Sequence, residues 1–318
     1  MSNQTTRSEF LLRGFSDVRE LQILHFTVFL VIYLAALMGN LLIVTVITLN
    51  RHLHTPMYFF LSNLSILDLC YISVTVPKSM ANSLTNTRRI SFSGCVTQVF
   101  LFVCFAAAEL AFLTVMAYDR YVAICLPLRY REIMNRSACV QMAAGCWVSS
   151  TIYSFFLTVD TFRLHFCESS VIGQFFCDIP QLLKVSCTNI HDHEILLLVC
   201  CSVFGSMFII SIFVSYIHIF STVLRIPSAH GRYKALSTCL PHLIVFSLFM
   251  STIMFTYMRP KSMSSLYLDL LAAVFYSVMP PLLNPMIYSL RNKAIKHALW
   301  EMTGRIFFSE ASWLPRSM

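Results

Sequence analysis

Seven long apolar runs, separated by short polar segments, dominate the pattern of this chain. They cover residues 24–49, 57–80, 95–125, 139–158, 195–224, 236–257 and 268–290. A helix rises 1.5 Å per residue, so about 20 residues cross a hydrocarbon core of about 30 Å. The runs do not alternate strictly, and only helices and closed barrels satisfy backbone groups in lipid. The pattern predicts an all-α membrane protein, a bundle of seven transmembrane helices.

The polar remainder fits a single domain over residues 1–318 without internal repeats. We expect a tail at 1–23, the helix bundle at 24–290 and a final segment at 291–318. From residue 292 to 304 apolar and basic residues alternate so that Ile295, Leu299 and Met302 share one face. This spacing predicts a short amphipathic helix on the inner leaflet, after the seventh helix.

Composition agrees with an integral membrane protein. Hydrophobic residues make up 57% of the chain, charged residues only 12%, and the mean hydropathy is +0.70. The net charge of +8 comes from Lys and Arg in the short segments between runs, which indicates topology signals rather than nucleic-acid binding. The charged first twenty residues do not resemble a cleavable signal peptide, so we expect the first helix to direct insertion.

Two features favour an amino terminus outside the cell. Asn3 begins a glycosylation sequon in the polar tail. Cysteines at four positions fall on one set of loops, which indicates an oxidising face: Cys95, Cys167, Cys177 and Cys187. Four cysteines allow three pairings, and spacing does not choose among them.

Two acids inside the apolar runs need an explanation, because intramembrane charge is costly. Glu109 lies eleven residues before Arg120, and Asp68 lies eleven past Met57, so the two carboxylates share one depth. Asn40 and Asn284 are placed at about the same level. These four side chains can coordinate a cation such as sodium or share a proton, or they form a hydrogen-bond network that only fixes helix packing.

We expect no other cofactor and no metal centre. His165, His191 and His193 lie in the long segment between the fourth and fifth runs. Histidines beside thiols can bind a transition metal, but solvated loop histidines are the simpler interpretation.

Five motifs, placed separately along the chain, carry a family resemblance. They are LHTPMYFFLSNLSILDLC at 53–70, MAYDRYVAIC at 116–125, SY at 215–216, KALSTCLPHL at 234–243 and PPLLNPMIYSLRN at 280–292. Together they resemble the signatures of olfactory receptors, the odorant-sensing branch of rhodopsin-like G-protein-coupled receptors. The resemblance covers nearly the whole chain.

The resemblance implies an odorant receptor in the plasma membrane, with an extracellular amino terminus and a cytoplasmic carboxyl terminus. Its expected partners are a small volatile odorant, membrane lipids and a stimulatory, olfactory-type heterotrimeric G protein that raises cyclic AMP. It implies the disulfides Cys95–Cys177 and Cys167–Cys187, and a sodium or proton pocket at the four polar side chains. The residues implied in switching and G-protein coupling are Asp119, Arg120, Tyr121, Tyr216, His242, Asn284, Pro285 and Tyr288.

Two positions depart from the family pattern. Pro241 stands where a serine usually precedes the histidine of the sixth helix, and Met250 stands where a tyrosine is common. We expect His242 and the neighbouring basic residues to face the cytoplasmic mouth, and we hypothesise that the two departures alter the basal state.

The expected ligand site lies in the outer half of the bundle and is mostly apolar. Helical steps outward from Arg120, and the resemblance for the other helices, give its wall: Phe102, Val103, Ala106, Ala107, Cys201, Phe204, Ile253, Met254, Tyr257, Val274 and Ser277. Such a wall selects ligands by shape and buried area, with Tyr257 and Ser277 as hydrogen-bond partners. It contains no acid, which argues against an amine ligand.

Two other classes stay open at this point. One is a non-olfactory rhodopsin-like receptor for a small apolar or lipid ligand. The other is an ion-coupled transporter, since intramembrane acids often mark ion paths, although the chain lacks an inverted repeat. An enzyme is not expected, because no metal-ligand or nucleophile–base spacing occurs at one helix level.

Overall fold

A computed structural model describes residues 9–166, 171–187, 191–257, 266–292 and 294–302, and for residues 191, 192, 257, 266, 267, 290 and 291 only the backbone. Seven helices in it are long and apolar enough to cross a membrane. We number them in chain order: Arg19–Leu49, Pro56–Thr85, Phe92–Cys125, Arg136–Phe162, His191–Leu224, Ala229–Tyr257 and Leu266–Arg291. The predicted bundle of seven transmembrane helices is confirmed.

The helices extend beyond the apolar runs because their polar end turns need not lie in hydrocarbon. The first helix begins at Arg19, so the predicted division between tail and bundle at residue 24 is five residues late. Local sequence sets other ends. The Ser91 hydroxyl accepts from the Gly94 amide (3.1 Å) at the start of the third helix. Asn86, with φ of 53°, ends the second helix in the left-handed conformation that asparagine tolerates.

A three-stranded sheet, which the apolar pattern did not predict, covers one end of the bundle. Its strands are β1 (Glu9–Leu12), β2 (Arg89–Ser91) and β3 (Val171–Ile172), in the order β2-β1-β3. Strand β1 runs antiparallel to β2 and parallel to β3. Phe10 and Leu12 alternate with exposed residues and are buried beneath the sheet. We call this end of the bundle the sheet end, and the end that holds Arg120 the arginine end.

The long segment after the fourth helix folds over the sheet end. The disulfide Cys95–Cys177 ties it to the start of the third helix, as predicted. Cys187 is also disulfide-bonded, while its predicted partner Cys167 lies outside the described residues, as does Asn3. The segment contains β3 and a short helix, Ile179–Lys184. We call its described residues, 163–166 and 171–187, the roof.

The third helix forms the centre of the bundle, and the first and fifth helices lie at its periphery. Buried residues make up 61% of the apolar window of the third helix but only 6% of that of the fifth. Exposed apolar side chains on the fifth helix, such as Val203, Ile210 and Ile217, face outward from the bundle. Apolar surface of this kind is expected where a helix contacts lipid.

The predicted amphipathic helix after the seventh is present over residues 294–302. Ile295 is buried, and Leu299 and Met302 pack against the main core cluster. The opposite face exposes Trp300. The predicted apolar face is confirmed, and in the structure it rests against the arginine end of the bundle.

Candidate functional site

The two intramembrane acids meet at one asparagine in the middle of the bundle. The side-chain amide of Asn284 donates to both carboxylate oxygens of Asp68 (3.1 and 3.2 Å) and to Oε1 of Glu109 (3.2 Å). All three side chains are almost fully buried. Helical spacing thus placed the two acids correctly, and the second, third and seventh helices converge on this cluster.

Asn40 lies beside this cluster but is joined to it through the backbone. Its amide nitrogen donates to the carbonyls of Ala36 (3.0 Å) and Pro281 (2.9 Å). The amide oxygens of Asn40 and Asn284 are buried without a hydrogen-bond partner in the described residues. With the carboxylates they form a set of oxygen atoms, the donors that hard cations prefer, so the residues present fit a small cation or a shared proton.

Asp119 holds Arg120 at the end of the third helix. Its Oδ2 accepts from Nη2 (2.5 Å) and Nε (3.1 Å) of Arg120, and its Oδ1 accepts from the hydroxyl of Tyr130 (2.7 Å). Burial and the bond to Asp119 raise the pKa of Tyr130, which keeps this hydroxyl a donor. The side chain of Arg120 is therefore paired within its own helix.

His242 is buried and, as predicted, lies at the mouth of the arginine end, where it lines a cavity. Its Nε2 lies 2.8 Å from the Leu113 carbonyl, and its Nδ1 lies 2.8 Å from the Tyr216 hydroxyl. Because a carbonyl only accepts, Nε2 carries the proton, and Nδ1 of the neutral ring accepts from Tyr216. The sixth helix continues through Pro241, and His242 joins it to the third and fifth helices.

A cavity open to solvent at the arginine end is lined by Arg120, His242 and Tyr288. The Tyr288 hydroxyl is buried without a partner in the described residues. Pro241 also lines this cavity. The structure thus places three of the predicted coupling residues, Arg120, His242 and Tyr288, beside Pro241, which is one of the two departures from the family pattern.

Two further coupling residues, Tyr121 and Pro285, contact the fifth and first helices. The ring of Tyr121 contacts that of His218 on the fifth helix (5.7 Å between centroids). Pro285 approaches the first helix so closely that a Cβ built on Gly39 would lie 3.1 Å from its Cγ. Gly39 is the residue that permits this contact.

Predicted ligand-wall residues on the third and seventh helices gather in one aromatic cluster near the sheet end. Phe102 packs on Phe176 of the roof (4.9 Å) and on Tyr71 (4.8 Å). Ala106 and Val274 pack against the same cluster. Ala107 is buried in the third helix. Val103 packs instead against the group around Cys177.

The predicted ligand-wall residues on the other helices are more scattered. Phe204 stacks on Tyr153 (4.0 Å), whose hydroxyl also donates to Sγ of Cys201 (3.2 Å). Ile253 packs against the main core, and half of Met254 is exposed. Two more complete the set: Ser277 is fully buried and donates to the Ala273 carbonyl (2.6 Å), and the side chain of Tyr257 lies outside the described residues.

Polar residues beneath the roof were missed in the sequence. The Tyr276 hydroxyl donates to Asp178 (2.5 Å), and the Gln98 oxygen accepts from the Cys177 amide (2.8 Å) while its nitrogen donates to the Val74 carbonyl (2.9 Å). Gln98 and Asp178 stand close to the two bridged cysteines in sequence, which was the available signal. At the same end, His193 of the fifth helix bonds Asp160 of the fourth (3.1 Å). No cluster of three metal-binding side chains occurs in the described ranges.

The arrangement has the seven-helix fold of a rhodopsin. Squid rhodopsin superposes with a TM-score of 0.71, covering 92% of this chain and 88% of that protein, at 16% sequence identity. The olfactory receptor family model matches residues 29–305. Olfactory receptor 14I1 of Homo sapiens is 56% identical over 97% of this chain and 99% of its own length; Olfactory receptor 14C36 of Homo sapiens is 54% identical over 98% and 99%. The chain belongs to the olfactory receptor family, whose members are receptors and not enzymes.

Proposed function

We propose that this receptor binds small, mostly apolar volatile odorants in the sheet-end half of the bundle and activates a stimulatory, olfactory-type heterotrimeric G protein at the arginine end, raising cyclic AMP. The observation that carries the proposal is the continuity of the third helix, Phe92–Cys125. One rigid element contains Phe102 in the aromatic cluster, Glu109 in the acid cluster and Arg120 at the far end.

The aromatic cluster supports an apolar ligand. Phe102, Ala106 and Val274 offer carbon surface, and Phe176 from the disulfide-held roof closes it from above. Burial of apolar ligand surface contributes roughly 25 cal/mol per Å², so shape and size determine affinity. Tyr257 and Ser277 remain the proposed hydrogen-bond partners. The Ser277 hydroxyl keeps an acceptor lone pair beyond its bond to Ala273.

The acid cluster is the proposed link between the two ends. Asp68, Glu109 and Asn284 come from three helices, so any shift of the third helix changes their contacts. We propose that the acids share a proton or hold a monovalent cation such as sodium. A bound cation would neutralise the carboxylates, while the residues themselves fix the spacing of the three helices.

At the arginine end, the proposal is a population shift. Asp119 and Tyr130 hold Arg120, and His242 joins Tyr216 to the third helix. Ligand binding favours a conformation in which these bonds exchange and the cavity at the arginine end widens to admit the G protein.

We further propose residence in the plasma membrane with the sheet end outside. The Cys95–Cys177 bridge lies at the sheet end, and disulfides persist in oxidising surroundings. Arg51, Arg129 and Arg131 lie at the arginine end, which agrees with the preference of cytoplasmic segments for positive charge. The sequon at Asn3 favours the same orientation.

Cells that express the chain test the proposal through cyclic AMP production during exposure to a chemically diverse panel of volatiles. We expect a saturable response to at least one apolar odorant. Phe102→Ala should then change the effective concentration about tenfold, because about 1.4 kcal/mol of contact is removed. Phe155→Ala is the matched control, since Phe155 is 63% exposed on the fourth helix.

Contrary results are equally clear. Equal changes in Phe102→Ala and Phe155→Ala would reject the aromatic cluster as the ligand site. An odorant-driven current or uptake that persists without G protein would reject receptor signalling in favour of transport. For the proposed hydrogen-bond partner, Tyr257→Phe should weaken alcohols and ketones more than hydrocarbons of the same size, and equal effects would exclude that role.

A further inference from the structure

A second cavity, distinct from the aromatic cluster, opens to solvent at the sheet end. It is an open cleft between the amino-terminal residues and the outer ends of the first and second helices. Several polar side chains line it, and the proposed odorant site does not use them. We refer to it as the tail cavity.

The wall formed by the second helix presents polar side chains, one of which has an unsatisfied oxygen. Asn82 and Ser83 lie three and four residues after Ser79, so the three side chains share one side of the helix, and all line the cavity. Ser79 is 4% exposed, and Oδ1 of Asn82 is buried without a partner in the described residues. Buried polar atoms are normally hydrogen-bonded, so this wall is suited to a ligand that carries a hydroxyl or N–H group.

The wall opposite the second helix and the rim of the cavity carry hydrogen-bond donors, some of them positively charged. His25 lines the cavity from the first helix, with its ring 4.9 Å from that of Phe15. Arg13 lines it from the amino-terminal side and is exposed. Arg88 is already held by Asp17 and the Ser16 carbonyl. None of the described lining residues is acidic, so Arg13 is a cation available to an anionic ligand.

The remainder of the lining is apolar. Leu12, Phe15 and Phe175 contribute carbon surface between the two polar walls. A short alkyl group can contact these three side chains while polar groups at its end reach the walls. The cavity thus combines an acceptor wall, a cationic rim and a small apolar floor.

We propose that the tail cavity binds a small, water-soluble hydroxycarboxylate. The carboxylate binds Arg13 and the imidazole of His25, where the charge-assisted bond to the guanidinium contributes most. The hydroxyl donates to Asn82 and accepts from Ser79, and the alkyl group contacts Phe15. This ligand class is opposite in polarity to the volatile ligands of the aromatic cluster.

Occupancy of the tail cavity also affects the odorant site, a step that rests on the proposed function. Phe175 lines the cavity, and its ring lies 5.3 Å from Phe15 and 5.0 Å from Phe176. Phe176 in turn packs on Phe102. A ligand that fixes Phe15 and Phe175 therefore restricts the roof of the aromatic cluster, and the hydroxycarboxylate acts as a modulator of the odorant response.

Binding to the purified full-length receptor at neutral pH tests the site without any odorant. The probes are 2-hydroxybutanoate, butanoate, which lacks the hydroxyl, and 1,2-butanediol, which lacks the carboxylate. We expect saturable stabilisation against thermal unfolding by 2-hydroxybutanoate, and at least tenfold weaker binding of the other two.

Variants locate the binding. Asn82→Leu and Arg13→Gln should each weaken 2-hydroxybutanoate at least tenfold, while Arg89→Gln should not, because Arg89 lies in β2 at the same end but outside the cavity. If Asn82→Leu unfolds, Ser79→Ala provides the same test with a smaller change. No saturable binding, equal binding of butanoate, or equal loss in Arg89→Gln would each overturn the proposal.

A cyclic AMP assay separates the two proposals. 2-Hydroxybutanoate should shift the effective concentration of an active odorant at least threefold, and Asn82→Leu should abolish the shift. Binding without any such shift overturns the modulatory step. Binding by a receptor that answers no volatile rejects the odorant function and leaves the tail cavity as a ligand site.

Discussion

The two ends of the bundle are held by different kinds of interaction. At the sheet end, a disulfide, three paired strands and a chain of aromatic contacts join the amino terminus, the third helix and the roof. At the arginine end, side-chain hydrogen bonds join neighbouring elements: Asp119 with Tyr130, and His242 with Tyr216 and Leu113.

This difference separates a fixed part from a movable part. Backbone ladders and a covalent bridge have no alternative partners of similar energy, whereas single side-chain bonds contribute about 0.5–1.5 kcal/mol each and exchange readily. Under the proposed function, a ligand beneath the fixed roof would transmit its effect toward the end where bonds can exchange. Variants that weaken each end should therefore have different consequences, in folding at one and in signalling at the other.

The largest effect is expected from removing the bridge with Cys95→Ser. Loss of a native disulfide costs about 2–5 kcal/mol, so we expect a large loss of receptor at the cell surface and a lower unfolding temperature of the purified protein. Cys70→Ser is the control, because Cys70 is not in a disulfide. A variant with normal surface amount and stability would show that the strands alone hold the roof.

Next in size is the signalling effect of His242→Phe. The change leaves the buried Tyr216 hydroxyl and the Leu113 carbonyl without their partner, at a cost of about 2–4 kcal/mol to the described conformation. We expect basal cyclic AMP per surface receptor to rise at least tenfold. Thr238→Val is matched, since Thr238 lines the same cavity but donates within its own helix. Unchanged basal signalling would refute the role of this bond in holding the bundle closed.

A smaller rise is expected for Tyr130→Phe. The hydroxyl bond to Asp119 is lost while Arg120 keeps its own pairing, and Tyr130 is only partly buried. Loss of this bond should cost the described conformation about 1 kcal/mol, so basal cyclic AMP should rise about fivefold. The control is Tyr118→Phe, because Tyr118 precedes Asp119 on the third helix and its side chain is 38% exposed. An equal rise in both variants would mean that the bond to Asp119 does not matter.

The smallest effect is expected at the sheet end from Arg89→Gln. Arg89 and Glu9 form an ion pair at 3.5 Å with both side chains largely exposed, so its contribution is below about 1 kcal/mol. The unfolding temperature should fall by no more than about 2 °C, with normal signalling. A fall comparable to that of Cys95→Ser would show that the charges, and not the bridge, hold the sheet.

The helices were predictable from the sequence because lipid imposes a simple rule on length and polarity. The strands were not. Strand β1 has four residues, and its pairing with Arg89–Ser91 and Val171–Ile172 depends on chain segments brought together by the bundle. The start of the first helix at Arg19 was not predictable from the apolar pattern either, because a charged turn continues the helix beyond the apolar run.

Within the site, residues on one helix were easier to place than contacts between helices. Counting from Arg120 placed Glu109 at the level of Asp68, since helical rise is constant. The hydrogen bonds of His242 were not predicted, because one partner is a backbone carbonyl, that of Leu113, which no residue type reveals. The bond from Tyr276 to Asp178 was missed because the roof has no periodic pattern.

The position of β1 between two later strands also sets an order of events during synthesis. Leu11 pairs with Val171, so its parallel partner emerges some 160 residues after it. At about 5–20 residues per second, the ribosome takes roughly 10–30 s to supply that partner. During this time Phe10 and Leu12, buried in the finished receptor, have no parallel strand to cover them. Strand β1 is thus made before both of its partner strands, and the sheet is completed only after four membrane helices have been made.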